Sequence, residues 1–265
     1  VGNIPEFNLP SNPALIVRLR EATVSDAIDF SGVADQSEQV ATSLFLDRVQ
    51  YDKARWSDPK KWTGEDRVFA LYWYWLHTEK DHEVALTFPC SVCGETHVQL
   101  VDFRTFADTY TNLQGKAERD IEFEGFKITV HPLTGEDLEE LESRRIAVEV
   151  AEKKHGKDSG QAKQERTRLS LVEVVLSMEF SDEPKDGGRA FREKRIEGFT
   201  VSQFEEFASK VFDARIDMAH GLESETVEGK ITIITPPVPC PTNPQEVGTR
   251  LRVPFRNSEY IPRVF

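Results

Sequence analysis

Val84-Ala-Leu-Thr-Phe-Pro-Cys-Ser-Val-Cys-Gly-Glu-Thr-His-Val-Gln-Leu-Val-Asp-Phe103 is the stretch on which the reading of this chain turns. Val84 to Phe88 alternates loosely, and His97 to Phe103 runs back with apolar residues at period two. Cys90 to Gly94 reverses the chain between them, which predicts a β-hairpin. Two cysteines two residues apart at a hairpin tip can aim both sulfurs at one tetrahedral ion. Gly94 relieves strain where backbone N–H groups turn toward sulfur. That is half of a zinc site. A structural zinc takes four ligands, and the others must come from His97, His82, Cys240 or another chain. The candidate metal ligands are therefore Cys90, Cys93, His97 and Cys240.

A weak internal echo bears on this. An aromatic-rich helix, a histidine, a strand, Pro-Cys, a turn and a strand ending in Phe occur twice, first with His82, Pro89-Cys90 and Phe103, then with His220, Pro239-Cys240 and Phe255. The second turn, Cys240-Pro-Thr-Asn-Pro-Gln, has no partner cysteine. The expectation is thus a knuckle kept as a turn without a cofactor, with zinc as the alternative. A redox role for Cys90 and Cys93 lacks the helix N-terminus that would activate a thiol, because the flanks read as strands.

Outward from the hairpin, Thr63-Gly-Glu-Asp66 caps a core helix whose apolar face holds Val68, Phe69, Leu71, Tyr72, Trp75 and Leu76. Thr23-Val-Ser-Asp26 and Thr200-Val-Ser-Gln203 are capping boxes. The second opens a helix with Phe204, Phe207, Ala208, Val211 and Phe212 on one face. A helix is expected over Gln39 to Val49, and others after Thr134 and near Gln164. Leu15 to Arg20, Lys230 to Thr235 and Thr249 to Val253 read as strands, and Glu124-Gly125 as the turn of a second hairpin. The fold class is α+β, helices with two or three hairpin units. Its divisions are an extended arm at 1–14 carrying Pro5, Pro10 and Pro13, an α+β unit with the CxxC hairpin at 15–133, a helical middle at 134–198, a second helix-hairpin unit at 199–255, and a tail at 256–265.

A chain of 265 residues with a net charge of -13 repels phosphate backbones and anionic lipid, so nucleic acid is not an expected partner. The basic residues Arg189, Arg192, Lys194 and Arg195 are interleaved with Glu193 and Glu197 and read as a solvated face. Three cysteines do not make a secreted disulfide framework, no apolar run spans a bilayer, and Val1-Gly-Asn-Ile-Pro lacks the regions of a signal peptide. A reducing cytoplasm is the expected setting. His77, His82, His97, His131, His155 and His220 form no HExxH pair, and no GxGxxG, GxxxxGK[ST] or GxSxG occurs. The carboxylates from Glu136 to Glu142 read as an exposed helix surface. No catalytic residues emerge, and the expectation is a protein that is not an enzyme.

Several stretches together resemble the baseplate hub and tail assembly proteins of contractile-tailed bacteriophages, T-even hub assembly proteins among them. They are Leu19-Arg-Glu-Ala-Thr-Val-Ser-Asp26, Leu86-Thr-Phe-Pro-Cys-Ser-Val-Cys-Gly94, Ala219-His-Gly221 and Leu251-Arg-Val-Pro-Phe255, with aromatic closure at Phe265. The resemblance implies a non-enzymatic component or assembly factor of the tail or baseplate. It would be made in the host bacterial cytoplasm, with passage into the virion tail as one destination. Its partners would be hub, tape-measure or other tail proteins and further copies of itself. The family looks as if it carries paired CxxC turns, from which this chain departs at Cys240, and that departure bears on metal binding more than on assembly. The alternative is a zinc-ribbon-like adaptor of a cellular complex.

Overall fold

A computed structural model describes residues 4–31, 37–52, 54–227 and 230–262. Its strands are β1 (Phe7–Leu9), β2 (Asn12–Val17), β3 (Glu83–Pro89), β4 (Thr96–Asp102), β5 (Arg119–Phe123), β6 (Phe126–Val130), β7 (Met178–Phe180), β8 (Ser224–Val227), β9 (Lys230–Ile234) and β10 (Arg252–Phe255). The α-helices are α1 (Val24–Ser31), α2 (Glu38–Val49), α3 (Gly64–Thr78), α4 (Gly135–His155), α5 (Gly160–Leu176), α6 (Gly188–Glu197) and α7 (Val201–Ile216). The strands pair antiparallel as β1-β2, β3-β4, β5-β6-β7 and β10-β9-β8, small sheets set among helices, so the α+β class holds. No helix among the described residues is long and apolar enough to cross a membrane.

Helix α3 organises the larger core. Thr63 accepts the Asp66 N–H at 3.1 Å and Asp66 accepts back from Thr63, the reciprocal box that the sequence predicts. The helix buries Phe69, Leu71, Tyr72 and Tyr74, each worth roughly 1.5–3 kcal/mol in apolar burial. The two phenols keep partners: Tyr72 donates to the Phe103 carbonyl at 2.7 Å, and Tyr74 accepts the Ala22 N–H at 3.0 Å. Around α3 pack β1, β2, α2, the β3-β4 hairpin and the chain's last described residues. A second core joins β5, β6 and β7 to α7 through Phe123, Ile128, Val130, Met178, Phe180, Phe207 and Val211. On α7, however, Phe212 stands 40% exposed, so its apolar face is narrower than the spacing suggested.

Four readings of the sequence change. Residues 4–14 are not an arm without a ladder: β1 pairs with β2, Phe7 and Leu9 are buried, and Trp73 donates to the Pro5 carbonyl at 2.8 Å. The proline-bearing segment is held because its apolar residues fill the α3 groove. The tail at 256–262 is also seated, with Asn257 donating to Thr42 at 2.9 Å and Tyr260 stacked on Phe255. Residues 1–3 and 263–265, Phe265 included, lie outside the described residues.

The basic residues of α6 do not all face solvent. Arg189 grips Glu140 with two bonds of 2.6 Å, and Arg192 donates to the Val175 and Met178 carbonyls. Arg195 pairs with Asp182 while lying 4.3 to 4.7 Å from the ring centres of Phe191, Phe126 and Phe180. Nor are the α4 carboxylates merely a solvated face. Glu139 accepts from Ser43 and Lys60, and Glu142 accepts the Gln39 N–H at 3.1 Å. Ser37 makes no side-chain cap, so a carboxylate from another helix satisfies this end of α2. Burial raises the Glu142 carboxyl above its ordinary range, with the Gln39 bond opposing.

Candidate metal centre

The β3-β4 ladder runs in register from Glu83 opposite Asp102 to Pro89 opposite Thr96, and the knuckle closes it. Cys90 donates its N–H to the Glu95 carbonyl at 2.8 Å, and Gly94 donates to the Cys90 carbonyl at 2.9 Å. Gly94 has φ of 76°, a left-handed value that a side chain would strain. The turn leaves the backbone N–H groups of Cys93 and Val92 directed at the Cys90 sulfur. These donors, Cys93 first, pull the Cys90 thiol down to about 6 against the opposing effect of burial. A sulfur so surrounded is prepared for the thiolate form, the form that ligates metal.

His97 sits at the start of β4, opposite Phe88, with its Nε2 3.1 Å from the Cys93 sulfur. The fourth donor arrives from the other end of the chain. After β9 the backbone crosses to a bridge at Val238 and Thr249, whose N–H and carbonyl groups bond reciprocally at 2.9 Å. Cys240 follows, buried, with Asn243 donating to its carbonyl at 3.2 Å and Thr242 Oγ1 3.1 Å from its sulfur. The crossing is tight at Gly248, where a Cβ would lie 2.0 Å from the Val238 carbonyl oxygen. β10 then pairs with β9, so Cys240 lies in the connection between two antiparallel strands as Cys90 does, but the second unit carries an additional strand, β8, after His220, and the echo in the sequence holds only in part.

The ligand atoms of Cys90, Cys93, His97 and Cys240 all lie within 4.8 Å of one another. Sulfurs about 2.3 Å from a tetrahedral zinc stand about 3.8 Å apart, so a contraction of about 1 Å or less would close the shell. All four candidate ligands are brought together. The Cys240 turn lacks a second cysteine, and with His97 of the first hairpin the cluster has four donors. Three soft sulfur donors and one imidazole suit zinc, and four protein donors leave no open position of the kind a catalytic zinc keeps for water. His82, the other donor considered, turns away and bonds the Leu76 carbonyl at 2.9 Å.

A second polar cluster, not singled out from the sequence, surrounds the α3 cap. His220 Nε2 lies 2.8 Å from Thr63 Oγ1 and 3.8 Å from Asp66, while its Nδ1 faces the Met218 carbonyl at 2.7 Å. Asp66 also accepts the Ser11 N–H at 2.9 Å and the Ser11 hydroxyl. Acid, imidazole and hydroxyls meet here, yet His220 and Asp66 have fully buried side chains and their partners are the fold itself. The cluster ties β1-β2, α3 and the turn after α7 together. The signal for it was the Thr63 box, which required a buried Asp66, but nothing local pointed to His220. An open groove of about 460 Å³ beside Leu15, Arg55 and Trp56 has no acid, histidine or thiol among the described residues of its lining.

Comparison with family models, with curated proteins and with solved structures returned no match to this chain.

Proposed function

We propose that this chain is a non-enzymatic assembly protein whose two hairpins are clasped by a structural zinc ion held by Cys90, Cys93, His97 and Cys240. The observation that carries the zinc reading is the convergence of those four donors within 4.8 Å, three from one hairpin and one from the loop of another. Chance rarely collects three thiols and an imidazole around one point. The N–H groups directed at the Cys90 sulfur add the local chemistry of a ligating knuckle. In this reading the ion supplies cross-linking and charge neutralisation, and the chain supplies contact surface.

The biological setting rests on the resemblance to baseplate hub and tail assembly proteins of contractile-tailed phages. The protein would be made in the infected bacterial cytoplasm and act by binding hub or tape-measure subunits. Metal analysis of protein purified without chelator, paired with pull-downs from infected-cell extract, tests both parts. About one zinc per chain is expected, and less than about a tenth of an equivalent in a folded protein sinks the metal reading. A zinc-loaded chain that stays monomeric and captures no tail protein sinks the phage assignment. The four-ligand cluster would then favour the zinc-ribbon-like adaptor of a cellular complex.

A further inference from the structure

We propose that Thr249 is the outer-sphere positioning residue of the metal centre, its hydroxyl fixing Cys90 as a ligand while lacing the two loops together. This inference rests on the zinc reading above. Thr249 lies far from the CxxC in sequence and ligates nothing itself. Its Oγ1 is 2.9 Å from the Ser91 hydroxyl, 3.0 Å from the Ser91 N–H it accepts, and 3.7 Å from the Cys90 sulfur.

The hydrogen inventory of this one oxygen decides the direction of each bond. A threonine hydroxyl has one proton and two lone pairs. One lone pair takes the Ser91 N–H. A metal-bound Cys90 is a thiolate with no proton, so it can only accept. If the Ser91 hydroxyl donates into the second lone pair, the Thr249 proton is left for the sulfur, and every site on the oxygen is used once. The Cys90 sulfur thus gains a side-chain donor from outside its own turn.

The backbone of Thr249 is as constrained as its side chain. Its N–H and carbonyl both bond Val238 at 2.9 Å, two residues before Cys240, and Gly248 admits that approach because it has no Cβ. One residue thus touches the knuckle that provides three of the donors and the segment that delivers the fourth. Groups that hydrogen-bond a metal ligand typically alter metal affinity by about 10- to 100-fold.

The test compares Thr249→Val, which keeps the shape and removes the hydroxyl, with Thr249→Ser, which keeps the hydroxyl. Zinc affinity is read by competition with a chromophoric chelator. Alkylation of each zinc-loaded cysteine by iodoacetamide is read by mass spectrometry. T249V should bind zinc about 10- to 100-fold more weakly, and its Cys90 should alkylate several-fold faster, because a thiolate stripped of a donor is the better nucleophile. T249S should stay within about threefold of wild type in both.

Equal affinity and equal Cys90 reactivity in T249V and wild type would overturn the proposal. So would a T249S variant as impaired as T249V. Should T249V fail to fold, Thr249→Ala, which removes the hydroxyl and adds no bulk, takes its place with the same two readouts, and wild-type zinc affinity with wild-type Cys90 reactivity in T249A rejects the role. A wild-type protein that binds no zinc rejects the metal reading itself, a different outcome from one that binds zinc indifferently to Thr249.

Discussion

Replacing Cys240 with serine isolates what the proposed zinc ion would do for the fold. Cys240 is the one candidate ligand not on the β3-β4 hairpin, and the chain between it and His97 is a loop of roughly 140 residues, whose closure by a cross-link removes about 5 kcal/mol of unfolded-state entropy in the loop model. Measured gains usually fall short of that figure, and three ligands retain some affinity for the ion. The expected loss in C240S is therefore about 3 kcal/mol with zinc present. Serine fits the site without zinc, since Thr242 Oγ1 stands 3.1 Å from the sulfur it replaces and can partner a hydroxyl.

Urea unfolding followed by tryptophan fluorescence reads the difference, because Trp62 is buried and Trp73 and Trp75 pack against the same core as Cys240. At about 3 kcal/mol per molar urea, a slope suited to a chain of this size, the midpoint should fall by about 1 M. In excess chelator the wild type should fall to meet the variant, leaving a gap under about 1 kcal/mol. An equal gap with and without chelator would refute the reasoning, since Cys240 would then act only as packing. A wild-type midpoint insensitive to zinc would refute it more completely.

Asp26, buried between Arg20 at 2.7 Å and the Thr23 cap, has its carboxyl held far below the ordinary range, chiefly by the Arg20 bond. A depressed folded-state value means stabilisation that is full above about pH 5 and is lost progressively as the pH falls through the ordinary carboxylate value toward the much lower folded one, so urea midpoints should drop steadily from about pH 5 down to about pH 2. In D26N the loss is present at neutral pH, about 2 kcal/mol, and the two proteins converge in acid. Gly135→Ala places a Cβ 2.5 Å from Arg67 Nη1 and 2.7 Å from the Pro59 carbonyl, whereas Gly64→Ala meets only the flexible end of Leu138 at 3.0 Å. Thermal melts should show G135A destabilised by about 2–3 kcal/mol and G64A by under about 1 kcal/mol. Gly248→Ala should weaken zinc binding measured by chelator competition, because the Val238 carbonyl it would strike at 2.0 Å anchors the Cys240 loop.

Features whose cause is local were legible in the sequence. The capping boxes at Thr23, Thr63 and Thr200 form as read, and Glu124-Gly125 makes its turn with both φ values positive. The CxxC hairpin needed only alternation and a glycine. What escaped was set by distant partners. β7 is three residues long and exists because Met178 and Phe180 complete the edge of β6. The proline-punctuated start looked unpaired because nothing within it announces that α3 has a groove for Phe7. The arginines of α6 looked solvated because mixed charge says nothing about three phenylalanines waiting to take Arg195. At the metal centre all four donors could be nominated, but the missing second cysteine weighed against them until His97 was seen beside Cys93.

If zinc is held as proposed, the division of ligands, three in one hairpin and one far downstream, would order events during synthesis. At about 5–20 residues per second, a ribosome that has finished His97 needs roughly 7–30 seconds to reach Cys240. Through that interval the nascent chain carries an unfinished coordination shell, two thiols and an imidazole with a vacancy. It can pick up an ion weakly or exchange it, and its thiols are open to oxidation. Commitment would come only when the late cysteine emerges and the loop at Gly248 draws it in, so an ion that fastens the two hairpins would also mark that the later one has been made.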